Sequence, residues 1–151
     1  MQVKFSGNAE FGVAIGLIGN FIGDAEKISS CIPDSRDFDK KDDAHFSIVV
    51  EVGVGMATGE LLMHCTIEKP DNNKYLYSME GRGLGSNVKV RLALGISGKG
   101  SSSTQINWDT SVELTGIMGS VGEPAVRHFA EAYVDKIIAN LGKEMEINKN
   151  R

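Results

Sequence analysis

The sequence holds three histidines, His45, His64 and His128, the first side chains to test for acid–base or metal chemistry. A triad or a metal centre needs side chains that converge on one point. By strand parity His45 and His64 fall opposite the strongly apolar faces of their segments. By helical phase His128 falls on a polar side with Asp135. They do not converge, and they read as solvated surface histidines. Asp37, Asp39, Asp42 and Asp43 flank Lys40 and Lys41, but their spacing is not that of a calcium loop. Such a mixed charge run reads as a solvated turn. Gly53, Gly55 and Gly59 sit along a strand rather than at a strand-to-helix turn, so they suit a bend or bulge better than a phosphate cradle. Gly119 and Gly122 precede a helix, where bare amides can face an anion; a hinge accounts for them at least as well. Cys31 and Cys65 lack metal-ligand spacing. The sequence leaves a disulfide open, and with no secretion signal visible reduced thiols are the expectation. Glu51, Glu60, Glu80, Asp109 and Glu113 alternate onto outward faces, away from any interior where a general acid or base would work. A register error of one residue would reverse any of them. The reading is therefore of no catalytic residue, no metal set and no cofactor.

What remains is an apolar interior. Its candidate lining is Phe46, Val50, Leu61, Met63, Tyr75, Tyr77, Met79, Leu92, Trp108, Phe129 and Tyr133. Any one of these suits a filled core. Taken together they describe a ligand site, with adaptable methionine walls and tyrosine and tryptophan tips that need partners when buried. A mostly apolar interior with few polar handles takes a small hydrophobic ligand, lipid or quinone-like, by burial of its surface.

Composition narrows the classes. The chain has 151 residues and a net charge of −4, which fits one domain and gives no basic run for nucleic acid or an anionic membrane. Hydrophobic residues make up 41% and glycines number 18, against a usual glycine share of about 7%. The apolar run from Phe11 to Ile22 is too short to span a bilayer, which takes about 20 residues, and it does not read as a secretion signal. The expected compartment is the cytoplasm.

The organising stretch is Thr104 to Leu141. Thr104, Ile106, Trp108, Thr110, Val112 and Leu114 alternate with Gln105, Asn107, Asp109, Ser111 and Glu113, which is a half-buried strand. A glycine-punctuated hinge follows, Thr115 to Gly122. Then the period becomes helical: Val126, Phe129, Ala130, Tyr133, Val134, Ile137 and Leu141 form one stripe, and Gly142 stands where a C′ cap is expected. Upstream, Gln2 to Glu10 reads as a strand and Phe11 to Ile22 as a short buried helix. Asp24 caps a second helix, Ala25 to Cys31, and Pro33 ends it. Six strands follow. Ser35 to Lys40 leads through a Lys41–Asp43 turn to His45–Met56, where Phe46, Ile48, Val50, Val52, Val54 and Met56 share a face. Gly59–Ile67 comes next, then a turn at Pro70–Asn73, Tyr75–Gly81, a turn at Gly83–Asn87, Val88–Ile96 and the Thr104 strand. Short turns make the sheet antiparallel, and helices at the ends give an α+β class. Residues 1–142 form one domain, and 143–151 are a charged tail prone to fray.

This order resembles the helix-grip fold of the START-like superfamily: a seven-stranded, curved antiparallel sheet around a long C-terminal helix, with two short helices after the first strand. Within it, the chain resembles the CoxG family of carbon monoxide dehydrogenase components. The stretches that carry this are Asp24 through Cys31–Ile32–Pro33, Gly81–Arg82–Gly83–Leu84–Gly85, and Thr104–Trp108 through Gly116–Gly122. The family usually carries Val-Trp where this chain has Ile18–Gly19, and Pro-Gly where it has Pro33–Asp34. Losing the Trp removes bulk near the mouth that the first helices form. The resemblance implies a non-enzymatic accessory protein to a carbon monoxide dehydrogenase-type molybdenum hydroxylase, serving recruitment, maturation or carriage of a lipophilic molecule such as a quinone. It would be peripheral at the inner membrane face through its partner. Other START-like branches imply the alternative, a cyclase, dehydratase or hydrolase acting in the same cavity.

Overall fold

The computed structural model describes residues 1–54 and 56–149. The element order is β1 (Gln2–Phe11), α1 (Ile15–Ile22), α2 (Ala25–Ser29), β2 (Ser35–Asp42), β3 (His45–Val54), β4 (Ala57–Asp71), β5 (Lys74–Gly83), β6 (Ser86–Gly98), β7 (Thr104–Gly116), a 3-10 turn (Ile117–Val121) and α3 (Glu123–Lys149). The strands form one seven-stranded sheet in the order β1-β7-β6-β5-β4-β3-β2, antiparallel at every pairing. This is the helix-grip arrangement, with α3 lying along β1 and reaching β3.

Period-two patterning accounts for the sheet. Phe46, Ile48, Val50, Val52 and Val54 are buried along β3, and Leu61, Met63, Cys65 and Ile67 along β4. Local chemistry sets the connections. Leu84 and Gly85 both adopt left-handed angles, φ 55 and 62, which matches the twist of a two-residue hairpin between Gly83 and Ser86. The Asp24 side chain accepts from the Lys27 amide at 3.0 Å and caps α2. Asp34 sits at φ 54, where the family it resembles usually places glycine. Aspartate is among the few side chains that tolerate this region.

Several boundaries differ from the sequence reading. Phe11 stays in β1, and α1 starts only at Ile15, because Gly12 and its neighbours give poor helix propensity. α2 ends at Ser29, before Cys31. The first turn moves to Asp43–Ala44 and the later one tightens to Asn72–Asn73. Pro70 lies inside β4, at a register shift between Glu68 and Asp71, a position that does not require the N–H it lacks. Met56 does not join the inward face: β3 ends at Val54 and Met56 is 100% exposed. α3 does not end at Gly142 but runs on to Lys149. A Cβ at Gly142 would stand 3.3 Å from the Phe11 ring, so this glycine serves close packing of α3 on β1. The continuation buries Met145, and Ile138 joins the buried stripe. Of the expected tail, residues 150 and 151 lie outside the described residues.

Candidate ligand-binding cavity

Close packing of a sheet face against one helix would bury every inward side chain. Here Met79 and Val90 point inward from the middle of the sheet, yet they stay only half-buried, as do Phe129, Ala130 and Ile137 on α3. They border a cavity of about 160 Å³ between the sheet and α3.

The structure brings together Phe46 and Val50 from β3, Leu61 and Met63 from β4, Tyr77 and Met79 from β5, Leu92 from β6, and Phe129 and Tyr133 from α3 on this cavity wall. Tyr75 and Trp108, expected with them, sit elsewhere. Tyr75 is buried beneath α1, where a Cβ on Gly19 would stand 3.1 Å from its hydroxyl. That ring takes space a large residue at position 19 would need. Trp108 lies across the backbone of Gly7, its partner on β1, so close that a Cβ there would be 2.5 Å from the indole. Glycine thus draws the indole down onto the sheet and away from the cavity. Ile28 and Ile32 join the lining from α2 and the turn after it, with Thr110 from β7. The isoleucines were missed because an end cover leaves no mark in strand parity. Thr110 was legible in the alternation, as an inward polar residue, but it was read as part of the strand face.

The polar tips on this wall are mostly committed. Tyr77 donates its hydroxyl proton to the Ile22 carbonyl at 2.5 Å, and Tyr133 donates to the Pro33 carbonyl at 2.6 Å. Asn140 adds a third tie, from its amide nitrogen to the Cys31 carbonyl at 3.0 Å. These bonds hold the ends of α1 and the turn after α2 against the sheet and α3. The tyrosines are struts of the cover, not free handles for a ligand. Burial pushes both phenols well above their ordinary range, so they stay protonated donors. Cys31 and Cys65 are free and buried. Burial pushes the Cys65 thiol up to about 12 and is the largest influence raising Cys31 to about 11. Thr110 differs from these: its Oγ1 is buried with no hydrogen-bond partner among the described residues.

The remaining candidates lie outside. Glu51, Glu60, Glu80, Asp109 and Glu113 are all exposed, and the Arg36 guanidinium bridges Glu51 at 3.1 Å and also reaches Glu60. His45, His64 and His128 are exposed and scattered over β3, β4 and α3. His45 Nδ1 pairs with Asp42 at 2.8 Å, a bond to the charged carboxylate that holds Asp42 below its usual range. The Gly116–Gly122 segment is a turn into α3, whose first residue, Glu123, pairs with Arg127 at 2.6 Å. Among the described residues no group of three His, Cys, Asp or Glu is placed to hold a metal ion, and no helix is long and apolar enough to cross a membrane.

Residues 7–146 match the family model of CoxG, the G component of carbon monoxide dehydrogenase. No curated protein matches the sequence. Among solved structures, a conserved protein from Geobacillus kaustophilus superposes with a TM-score of 0.85 at 16% identity, covering 95% of both chains. A START superfamily protein from Mycobacterium smegmatis gives 0.72 at 16% identity, over 95% of this chain and 97% of that one. The Zhui aromatase/cyclase from Streptomyces sp. R1128 gives 0.65 at 9% identity, over 97% of this chain and 94% of that one. At these identities the likeness establishes a START-like fold and nothing of chemistry.

Proposed function

The chain belongs to the carbon monoxide dehydrogenase CoxG family, and from that membership and its cavity we propose a non-enzymatic binding protein for a small lipophilic molecule. The observation that carries this is the apolar space of about 160 Å³ between sheet and α3. Its walls are aliphatic, aromatic and thioether side chains, and the tyrosine hydroxyls there are already spent on backbone carbonyls. An apolar void stays dry and is available to an apolar guest. A guest burying roughly 200 Å² of apolar surface gains about 5 kcal/mol before association costs. The biological role would be accessory to a carbon monoxide dehydrogenase-type molybdenum hydroxylase: recruiting it, maturing it, or carrying a lipid or quinone-like molecule for it at the inner face of the membrane.

A cyclase, dehydratase or hydrolase in the same cavity would need an inward acid or base. The outward Glu51, Glu60, Glu80, Asp109 and Glu113 favour binding over that chemistry. Native mass spectrometry of freshly purified protein, followed by solvent extraction, tests the proposal. A stoichiometric lipophilic adduct is the expected result. A clean unliganded mass, with no uptake of lipids or quinones on titration, would refute it and favour an assembly role through protein contacts.

A further inference from the structure

Thr110 is the one cavity residue whose chemistry the packing leaves unused among the described residues. It faces inward from β7, opposite Phe5 of β1 and Leu92 of β6, and is 4% exposed. Its neighbours on the wall include Val90, Val112 and Leu114, which can neither accept its proton nor donate to it. A buried hydroxyl without a partner carries an uncompensated desolvation cost. Valine has the same branched shape and would avoid it.

We propose that Thr110 is the polar recognition residue of the cavity, and that the ligand class is a neutral molecule carrying one hydrogen-bond acceptor, a carbonyl or ether oxygen, on an otherwise apolar body. This rests on the cavity being a ligand site, as proposed above. The acceptor follows from what is left over. Tyr77 and Tyr133 have given their protons to Ile22 and Pro33, so the free O–H donor on the wall is that of Thr110. Neutrality follows from the absence of any Lys, Arg or His among the described lining residues, because a buried carboxylate or phosphate without a counter-charge is too costly. Size follows from the volume. About 160 Å³ is close to that of an engineered cavity that takes up benzene, so the recognised part is one or two rings.

The test compares probes that differ in one group: acetophenone, its near-isostere α-methylstyrene, in which CH₂ replaces the carbonyl oxygen, and benzoate. Titration calorimetry gives the acetophenone to α-methylstyrene affinity ratio for the wild type, Thr110→Val and Thr110→Ser. The cycle isolates the hydroxyl–carbonyl interaction from the desolvation of the probe. The expected result is a ratio lowered about tenfold by Thr110→Val, restored in Thr110→Ser, and no binding of benzoate. Unchanged α-methylstyrene affinity in Thr110→Val shows the cavity is intact. If both probes bind and the ratio moves less than about twofold, the Thr110 assignment falls while the cavity reading stands. If benzoate binds as well as acetophenone, the neutral class is overturned. If neither probe binds the wild type, the cavity reading falls and the assignment with it.

Discussion

Replacing Ala130 with leucine decides whether the interior is open. Ala130 sits on α3, half-buried, on the cavity wall. A void of about 160 Å³, at about 24 cal/mol per Å³, represents roughly 4 kcal/mol of packing that the fold forgoes. Leucine adds three carbons to Ala130, worth about 2.4 kcal/mol if all are buried. Ordering its side chain costs about 0.5–1 kcal/mol, and both residues are good helix formers. The expected outcome is a stabilisation of about 1.5 kcal/mol. At this chain length that is a rise in Tm of about 3–6 °C. Urea unfolding would show the same change as a higher midpoint with an unchanged slope. Uptake of α-methylstyrene or of any co-purifying lipophile should fall together with the gain in stability. A destabilisation of about 1–3 kcal/mol is what overpacking a full core produces. That result would refute the cavity, and the binding function with it.

Other consequences are equally direct. Gly116 adopts φ 90, and a Cβ there would collide with the Gly85 carbonyl oxygen; Gly116→Ala should cost about 3 kcal/mol or more, read from the denaturation midpoint, and a loss under about 1 kcal/mol would contradict this account of the turn. Tyr77→Phe leaves the Ile22 carbonyl without its donor and should cost about 1–3 kcal/mol, measured the same way; a neutral variant would show that the strut is dispensable. With thiols buried and pushed up to about 11 and about 12, native protein at pH 8 should resist a disulfide reagent that titrates both cysteines after unfolding, and rapid native reaction would contradict their burial. The same thiols set a pH dependence. Their folded pKa values lie above the unfolded value near 9.0, so the folded state holds protons more tightly. Their contribution is complete below about pH 9 and is lost as pH rises from there through about 11 and 12. Thermal unfolding should show a plateau below pH 9 and a fall above it, and replacing Cys65 with alanine should shallow that fall.

The alternation in β3, β4, β6 and β7 and the switch to helical period after Gly122 determined the fold. Each is a local pattern that states which side of an element faces a core, and short turns leave consecutive strands few ways to pair. The outward placement of Glu51, Glu60, Glu80, Asp109 and Glu113 followed from the same parity. The cavity was legible only as a set of inward residues, because period two says which face is inside and not whether the inside is filled. Tertiary structure decided that. Gly7 let the Trp108 indole lie on the sheet, and Tyr75 went beneath α1 against Gly19, which removed both from the wall. The covering role of α2, the spending of Tyr77 and Tyr133 on distant carbonyls, and the unpartnered hydroxyl of Thr110 all depend on contacts between segments far apart in the chain. α3 passed its expected cap at Gly142 for a similar reason. Local sequence offers a stop, but Phe11 and the burial of Met145 reward continuing, and packing outweighs a single residue's preference of about 1 kcal/mol.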